Sequence, residues 1–124
     1  MTKHVMVIED EPNIIEALTF LFLREGWKVD AHSDGASALA AVERVRPDVV
    51  ILDIMLPHRS GFEILRDMRQ SSDLSNLPVL VLTARGQTKD RDMAMEAGAN
   101  RYVTKPFANA DVLQIAGELA GAKV

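Results

Sequence analysis

Three short apolar runs in this chain stop abruptly on reactive polar residues. Val5-Met6-Val7-Ile8 ends at Glu9-Asp10-Glu11, Val49-Val50-Ile51-Leu52 ends at Asp53, and Tyr102-Val103-Thr104 ends at Lys105-Pro106-Phe107. A run of Val, Ile and Leu without a polar face reads as a buried strand, here one that delivers its terminal acid to a sheet edge. If the strands are neighbours, Glu9, Asp10 and Asp53 crowd together with Lys105 facing them. Two carboxylates roughly 4 Å apart repel by about 4 kcal/mol at an effective dielectric near 20. Such a site needs a cation.

Between these runs the spacing of apolar residues changes to a helical period, and the alternation repeats five times. Pro12 suits the first turn of a helix, and Ile14, Ile15, Leu18, Leu21 and Phe22 follow on one side until Gly26. Residues 27–31 read as a second strand. Ser33 or Asp34 caps a helix bearing Ala38, Leu39, Val42 and Val45, which stops before Pro47. After the strand at 49–53, a loop at 57–60 leads into Ser60-Gly61-Phe62-Glu63, a capping box that opens a helix burying Ile64, Leu65 and Met68. A strand at 78–83, a polar helix at 88–97 closed by Gly98, a strand at 101–104 and a helix at 110–119 complete the pattern. Strands alternating with helices of this length predict right-handed crossovers and a parallel sheet covered on both faces. Ligands of such sheets sit beyond the strand carboxyl ends, where Glu9, Asp10, Asp53, Thr83 and Lys105 all fall.

A chain of 124 residues fits one domain, expected here over 1–124. Its formal net charge of −4 offers no electrostatic footprint for nucleic acid. The absence of cysteine removes disulfides and thiolate metal sites. The first apolar run is too short for a signal-peptide core, and Glu16 and Arg24 interrupt the longest apolar stretch, so a cytoplasmic protein without membrane contact is expected.

With Glu9-Asp10, Asp53, Thr83-Ala84 and Lys105-Pro106-Phe107 in place, the whole chain resembles the receiver domain of bacterial two-component response regulators. The resemblance implies a flavodoxin-like (βα)5 sandwich with strand order 2-1-3-4-5, an order the family shares. It implies that Asp53 accepts a phosphoryl group from a sensor histidine kinase or a histidine phosphotransfer protein. Glu9, Asp10, Asp53 and the backbone carbonyl of Met55 would hold one Mg²⁺, for which Mn²⁺ could substitute. Lys105 and Thr83 would contact phosphoryl oxygens, and small Ala84 would leave room for them. Lys105-Pro106 would be a cis peptide. Thr83 and Tyr102 would form the switch that presents a surface to a downstream effector protein. Met55 and Arg85, flanking the phosphoryl site, would tune its lifetime.

Other residues refine this reading. Many DNA-binding members dimerise through an acidic pair before the aromatic switch residue and basic residues on the last helix; here Asn100-Arg101 precedes Tyr102, and residues 110–122 hold no Lys or Arg. A stand-alone receiver, monomeric before phosphorylation, is therefore expected. Phe20 and Leu23 project from the polar side of the first helix as a docking patch for the phosphodonor. His4, His32 and His58 lack metal-ligand spacing and suit surface or loop roles; one of Met93 and Met95 is expected in the core. An aspartate-nucleophile phosphohydrolase would need an acid where Met55 stands. A nucleotide-binding protein would need a glycine-rich loop where Glu9-Asp10-Glu11-Pro12 stands. The remaining alternative is a receiver-like binding module that phosphorylation does not switch.

Overall fold

The alternating pattern is realised in a computed structural model that describes residues 2–83 and 88–122. In chain order the elements are β1 (His4–Ile8), α1 (Pro12–Arg24), β2 (Lys28–His32), α2 (Gly35–Val45), β3 (Val49–Asp53), α3 (Gly61–Gln70), β4 (Val79–Thr83), α4 (Thr88–Ala97), β5 (Arg101–Thr104) and α5 (Asn109–Ala122). The strands form one parallel sheet in the order β2-β1-β3-β4-β5. Successive side chains of a strand point to opposite faces. Val5, Val7, Val49, Ile51, Leu80 and Leu82 accordingly pack with Leu18 and Phe22 of α1 and Val112 and Ala116 of α5. Met6, Ile8, Val50, Leu52, Val79 and Val81 pack against α2, α3 and α4 on the other face. Among the described residues no helix is long and apolar enough to cross a membrane.

Register decides what meets at the rim. Ile8 pairs with Leu52, so the residues that follow, Glu9 and Asp53, emerge side by side. Asp53 pairs with Leu82, which sets Thr83 one level beyond it, and Thr83 pairs with Thr104, which sets Lys105 one level further still. The order reverses between β1 and β3, opening the crevice in which such folds bind ligands. Gly61 lets α3 start against this edge, because a Cβ there would lie 2.4 Å from the Asp53 carbonyl oxygen. Ser60 and Glu63 then cap that helix reciprocally.

Several boundaries differ from the sequence expectation for local reasons. β2 begins at Lys28, because Trp27 turns into the core and meets Phe22 edge-on with ring centroids 4.9 Å apart. β4 begins at Val79, since Pro78 has no N–H to give the ladder. Asp34, not Ser33, caps α2 by accepting from Ala36 N. α5 runs past both predicted ends. His4 occupies a strand instead of a loop and sets its Nε2 2.5 Å from Asp30 Oδ2 on β2. Neither Met93 nor Met95 reaches the core; Ala94 is the α4 residue buried there.

The opposite end of the sheet holds a polar staple that sequence reading missed. Arg69 of α3 donates to the carbonyls of Leu74, Ser75 and Leu77 before β4 and of Gly98 before β5, at 2.8 to 3.2 Å. It also donates to Asn100 Oδ1, which accepts in turn from Val79 N at 2.9 Å. Gly98 sits at φ +116°, and a Cβ there would strike the Arg69 stem at 2.6 Å.

Candidate functional site

Glu9, Asp10 and Asp53 each place a carboxylate oxygen so that all three lie within 4.8 Å of one another. Glu9 and Asp53 are buried, whereas Asp10 is exposed. Backbone geometry sets these side chains. Glu9 N donates to His32 O, and Glu9 Oε2 accepts from Asp10 N at 3.0 Å and Glu11 N at 3.4 Å. Asp53 Oδ1 accepts from Met55 N at 3.1 Å. Lys105 enters from the end of β5, held by its own N–H donating to Thr83 O at 2.8 Å, and its peptide to Pro106 is cis.

One ammonium answers the crowding. Lys105 Nζ stands 2.8 Å from Glu9 Oε1, 3.0 Å from Glu11 Oε1 and 3.3 Å from Asp53 Oδ2. Burial works against its charge, but the acids outweigh burial and raise its pKa above the usual lysine value. Burial also pushes Glu9 up to about 8, with its contact to Asp53 adding to the rise and Lys105 opposing it. Near neutral pH the cluster therefore relieves part of its repulsion by keeping a proton on Glu9. Glu9 Oε1 is buried and aligns no hydrogen bond, although the Lys105 ammonium stands 2.8 Å away. A buried carboxylate oxygen without a hydrogen bond, beside two further acids, fits a hard divalent cation bound by oxygen alone.

Thr83 is buried beside the cluster, yet its hydroxyl donates toward β5, to Val103 O at 3.3 Å and Thr104 Oγ1 at 3.4 Å. Tyr102 is half-buried against the core, and Arg91 of α4 both donates to its hydroxyl at 3.3 Å and stacks 5.6 Å from its ring. Met55 projects into solvent, 69% exposed. Ala84 and Arg85 lie outside the described residues. The structure thus brings Glu9, Asp10, Asp53 and Lys105 together, with Thr83 adjacent but turned away and Tyr102 one strand position further out. Sequence reading assigned no role to Glu11. Its place two residues past Glu9, at the mouth that Lys105 must cross, was the available signal.

Beside the site a cavity of about 640 Å³ opens between α1 and the β5–α5 connection, walled by Glu11, Ile14, Lys105, Pro106 and Phe107. It continues along α1 as a hollow of about 530 Å³ reaching Phe20 and Arg24. Phe20 is 64% and Leu23 56% exposed on that helix.

Residues 5–116 match the response regulator receiver domain. A probable transcriptional regulatory protein of Mycobacterium tuberculosis, TcrX, is 45% identical over 109 residues, 88% of this chain and 46% of that protein. The chain spans about half the length of the curated relatives it matches. Among solved structures, a putative response regulator from Chloroflexus aurantiacus superposes with a TM-score of 0.93 at 27% identity, over 98% of this chain and 99% of that one. The receiver domain of sensor histidine kinase PA1611 from Pseudomonas aeruginosa, solved with a magnesium ion coordinated in the active-site cleft, superposes with a TM-score of 0.83 at 31% identity, over 98% and 99%.

Proposed function

The chain belongs to the response regulator receiver domain family, signalling modules that work by accepting a phosphoryl group, and from that premise we propose that Asp53 is the acceptor. The observation that carries the assignment is Asp53 itself: buried at the rim, one oxygen fixed by an amide, the other facing an ammonium. A carboxylate is a weak nucleophile, so what it needs is position and cancellation of charge. Asp53 Oδ2 forms the new bond to phosphorus. The phosphorus–nitrogen bond of the donor histidine breaks, and its electron pair leaves with the imidazole. Asp53 becomes an acyl phosphate.

Glu9, Asp10, Asp53 and the Met55 carbonyl would hold Mg²⁺, with Mn²⁺ as a substitute. When bound, the ion supplies charge neutralisation for the acids and the phosphoryl oxygens. Lys105 takes one phosphoryl oxygen as a point charge. For Thr83 to reach another, its hydroxyl must leave Val103 and Thr104 and turn through its side-chain torsion. That vacates space toward β5, where Tyr102 can move inward once Arg91 releases it. A local charge event thereby biases the surface formed by α4, β5 and α5, which an effector protein would read. Loss of the phosphoryl group would proceed on the same domain, at a rate that exposed Met55 tunes.

The cavity beside α1 and exposed Phe20 and Leu23 suit a phosphodonor helix from a histidine kinase or phosphotransfer protein. On the output face, Arg101 is answered within the chain by Glu118 at 3.2 Å. With no Lys or Arg at residues 110–122, the reading is of a monomer before phosphorylation that works through protein contacts. Incubation with acetyl phosphate and Mg²⁺, read by intact mass, tests the assignment. Wild type should gain one phosphoryl group and Asp53→Asn none; an unchanged wild-type mass would refute it.

A further inference from the structure

We infer that Glu11 is a positioning residue that holds Lys105 back in the unmodified protein and so sets how fast the site accepts a phosphoryl group. The inference rests on Asp53 being the acceptor. Lys105 has three N–H donors facing three carboxylates, and its contact with Asp53 is the longest of the three. Glu9 and Asp53 belong to the oxygen cluster that a divalent cation would gather, and Glu11 does not. Once a cation neutralises the cluster, Glu11 is the acid left competing with the phosphoryl oxygen for the ammonium.

The local fold commits Glu11 to this contact. It stands at the N-cap of α1, where a side chain usually accepts from a first-turn amide. Its side chain caps nothing; the Ile14 and Ile15 amides instead bond to its backbone carbonyl at 3.1 Å. With no capping bond to make, the carboxylate reaches across the mouth of the site to Lys105. At 58% exposed it is also partly screened by solvent, so the pair is weak enough to open. A restraint on a reacting group needs that property.

Phosphorylation rates of wild type, Glu11→Gln and Glu11→Asp, measured with Mg²⁺ at saturating acetyl phosphate and again with phosphoramidate, test this. Phosphoramidate carries less negative charge, so a field effect on donor entry would differ between the two. The maximal rate of Glu11→Gln should rise about two- to fivefold with both donors, the scale of one partly exposed ion pair, with the Michaelis constant little changed. Glu11→Asp, one methylene short of Lys105, should rise likewise. Glu16→Gln, which removes one charge from the same helix without touching Lys105, should match wild type. In a Lys105→Gln background Glu11→Gln should change nothing, and the same cycle can be read on Mg²⁺-dependent beryllofluoride affinity by ¹⁹F NMR, which requires no bond to form. A Glu11→Gln rate within 1.5-fold of wild type (a bound set by about 0.2 kcal/mol, the low end for exposed pairs) overturns the inference while Asp53 stays the acceptor. So does a gain confined to the Michaelis constant for acetyl phosphate, or one that persists without Lys105. Wild type that accepts nothing from either donor overturns both.

Discussion

At the carboxyl ends of its strands the sheet gathers three clustered carboxylates, with Glu11 beside them, around one ammonium. Before β4 and β5, at the opposite end, it gathers neutral oxygens around one guanidinium. Both are polar clusters at a sheet edge, and both join segments far apart in sequence. In the Arg69 staple each hydrogen bond runs from a fixed donor fork to a carbonyl or to Asn100, and burial lowers the pKa of a group that still keeps its charge. In the acid cluster, Glu9 holds a proton where a carboxylate ordinarily would not, and one of its buried oxygens makes no hydrogen bond. A satisfied network resists change. A cluster with its protonation displaced responds to any cation or charge that enters, which is the condition a signalling site requires.

Substitution should separate the two ends cleanly. Asp53→Asn is expected to abolish phosphoryl gain altogether while raising the melting temperature of the metal-free protein, because one of the crowded charges is gone. Arg69→Met should do the reverse. It frees four backbone carbonyls and Asn100 from their donor and should cost about 2–4 kcal/mol in urea unfolding. The mass gain per folded molecule should stay as in wild type. Loss of phosphorylation in folded Arg69→Met would show that the staple also shapes the site.

Metal is the next discriminator. Mg²⁺ at about a hundred times its dissociation constant should add about 2.7 kcal/mol to unfolding stability, since it binds the folded cluster and not the dispersed acids of the unfolded chain. Arg69→Met should show the same increment from its lower baseline, and Asp53→Asn a smaller one. Melting curves with and without Mg²⁺ on the three proteins check this. An equal increment in Asp53→Asn would place the ion elsewhere.

The two ends also differ in how far the sequence disclosed them. The acid cluster was legible because each part is a local signal: an unbroken apolar run, then a carboxylate, with neighbouring strands setting the level. Arg69 was not, because its partners are mainly main-chain carbonyls, which every residue carries and no residue type marks. Asn100 was read only as a missing acid, although its Oδ1 joins Arg69 to the start of β4. Glu11 was overlooked for a related reason. Its contact depends on the path of α1 and the reach of Lys105, 94 positions away, which apolar periodicity does not encode. The direction of the Thr83 hydroxyl likewise follows from β5 neighbours, not from its own place in the run.

The most diagnostic effect is on pH dependence without metal. Glu9 rises from an unfolded value of 4.5 to about 8 in the folded chain. The folded state thus binds this proton more tightly than the unfolded state, so its contribution to stability is fully present below pH 4.5. It declines as the unfolded chain gives the proton up, and is gone once pH has risen through about 8. Urea midpoints of the metal-free protein should therefore fall across that window. Glu9→Gln, which never ionises, should flatten this part of the profile, while Arg69→Met should shift the whole curve down without changing its slope. Mg²⁺ competes with the same proton, so the stabilisation it adds should grow as pH rises through the window. A slope unchanged in Glu9→Gln would mean that another group carries the proton, and the contrast between a cluster tuned to titrate and a staple that does not would then rest on the metal response alone.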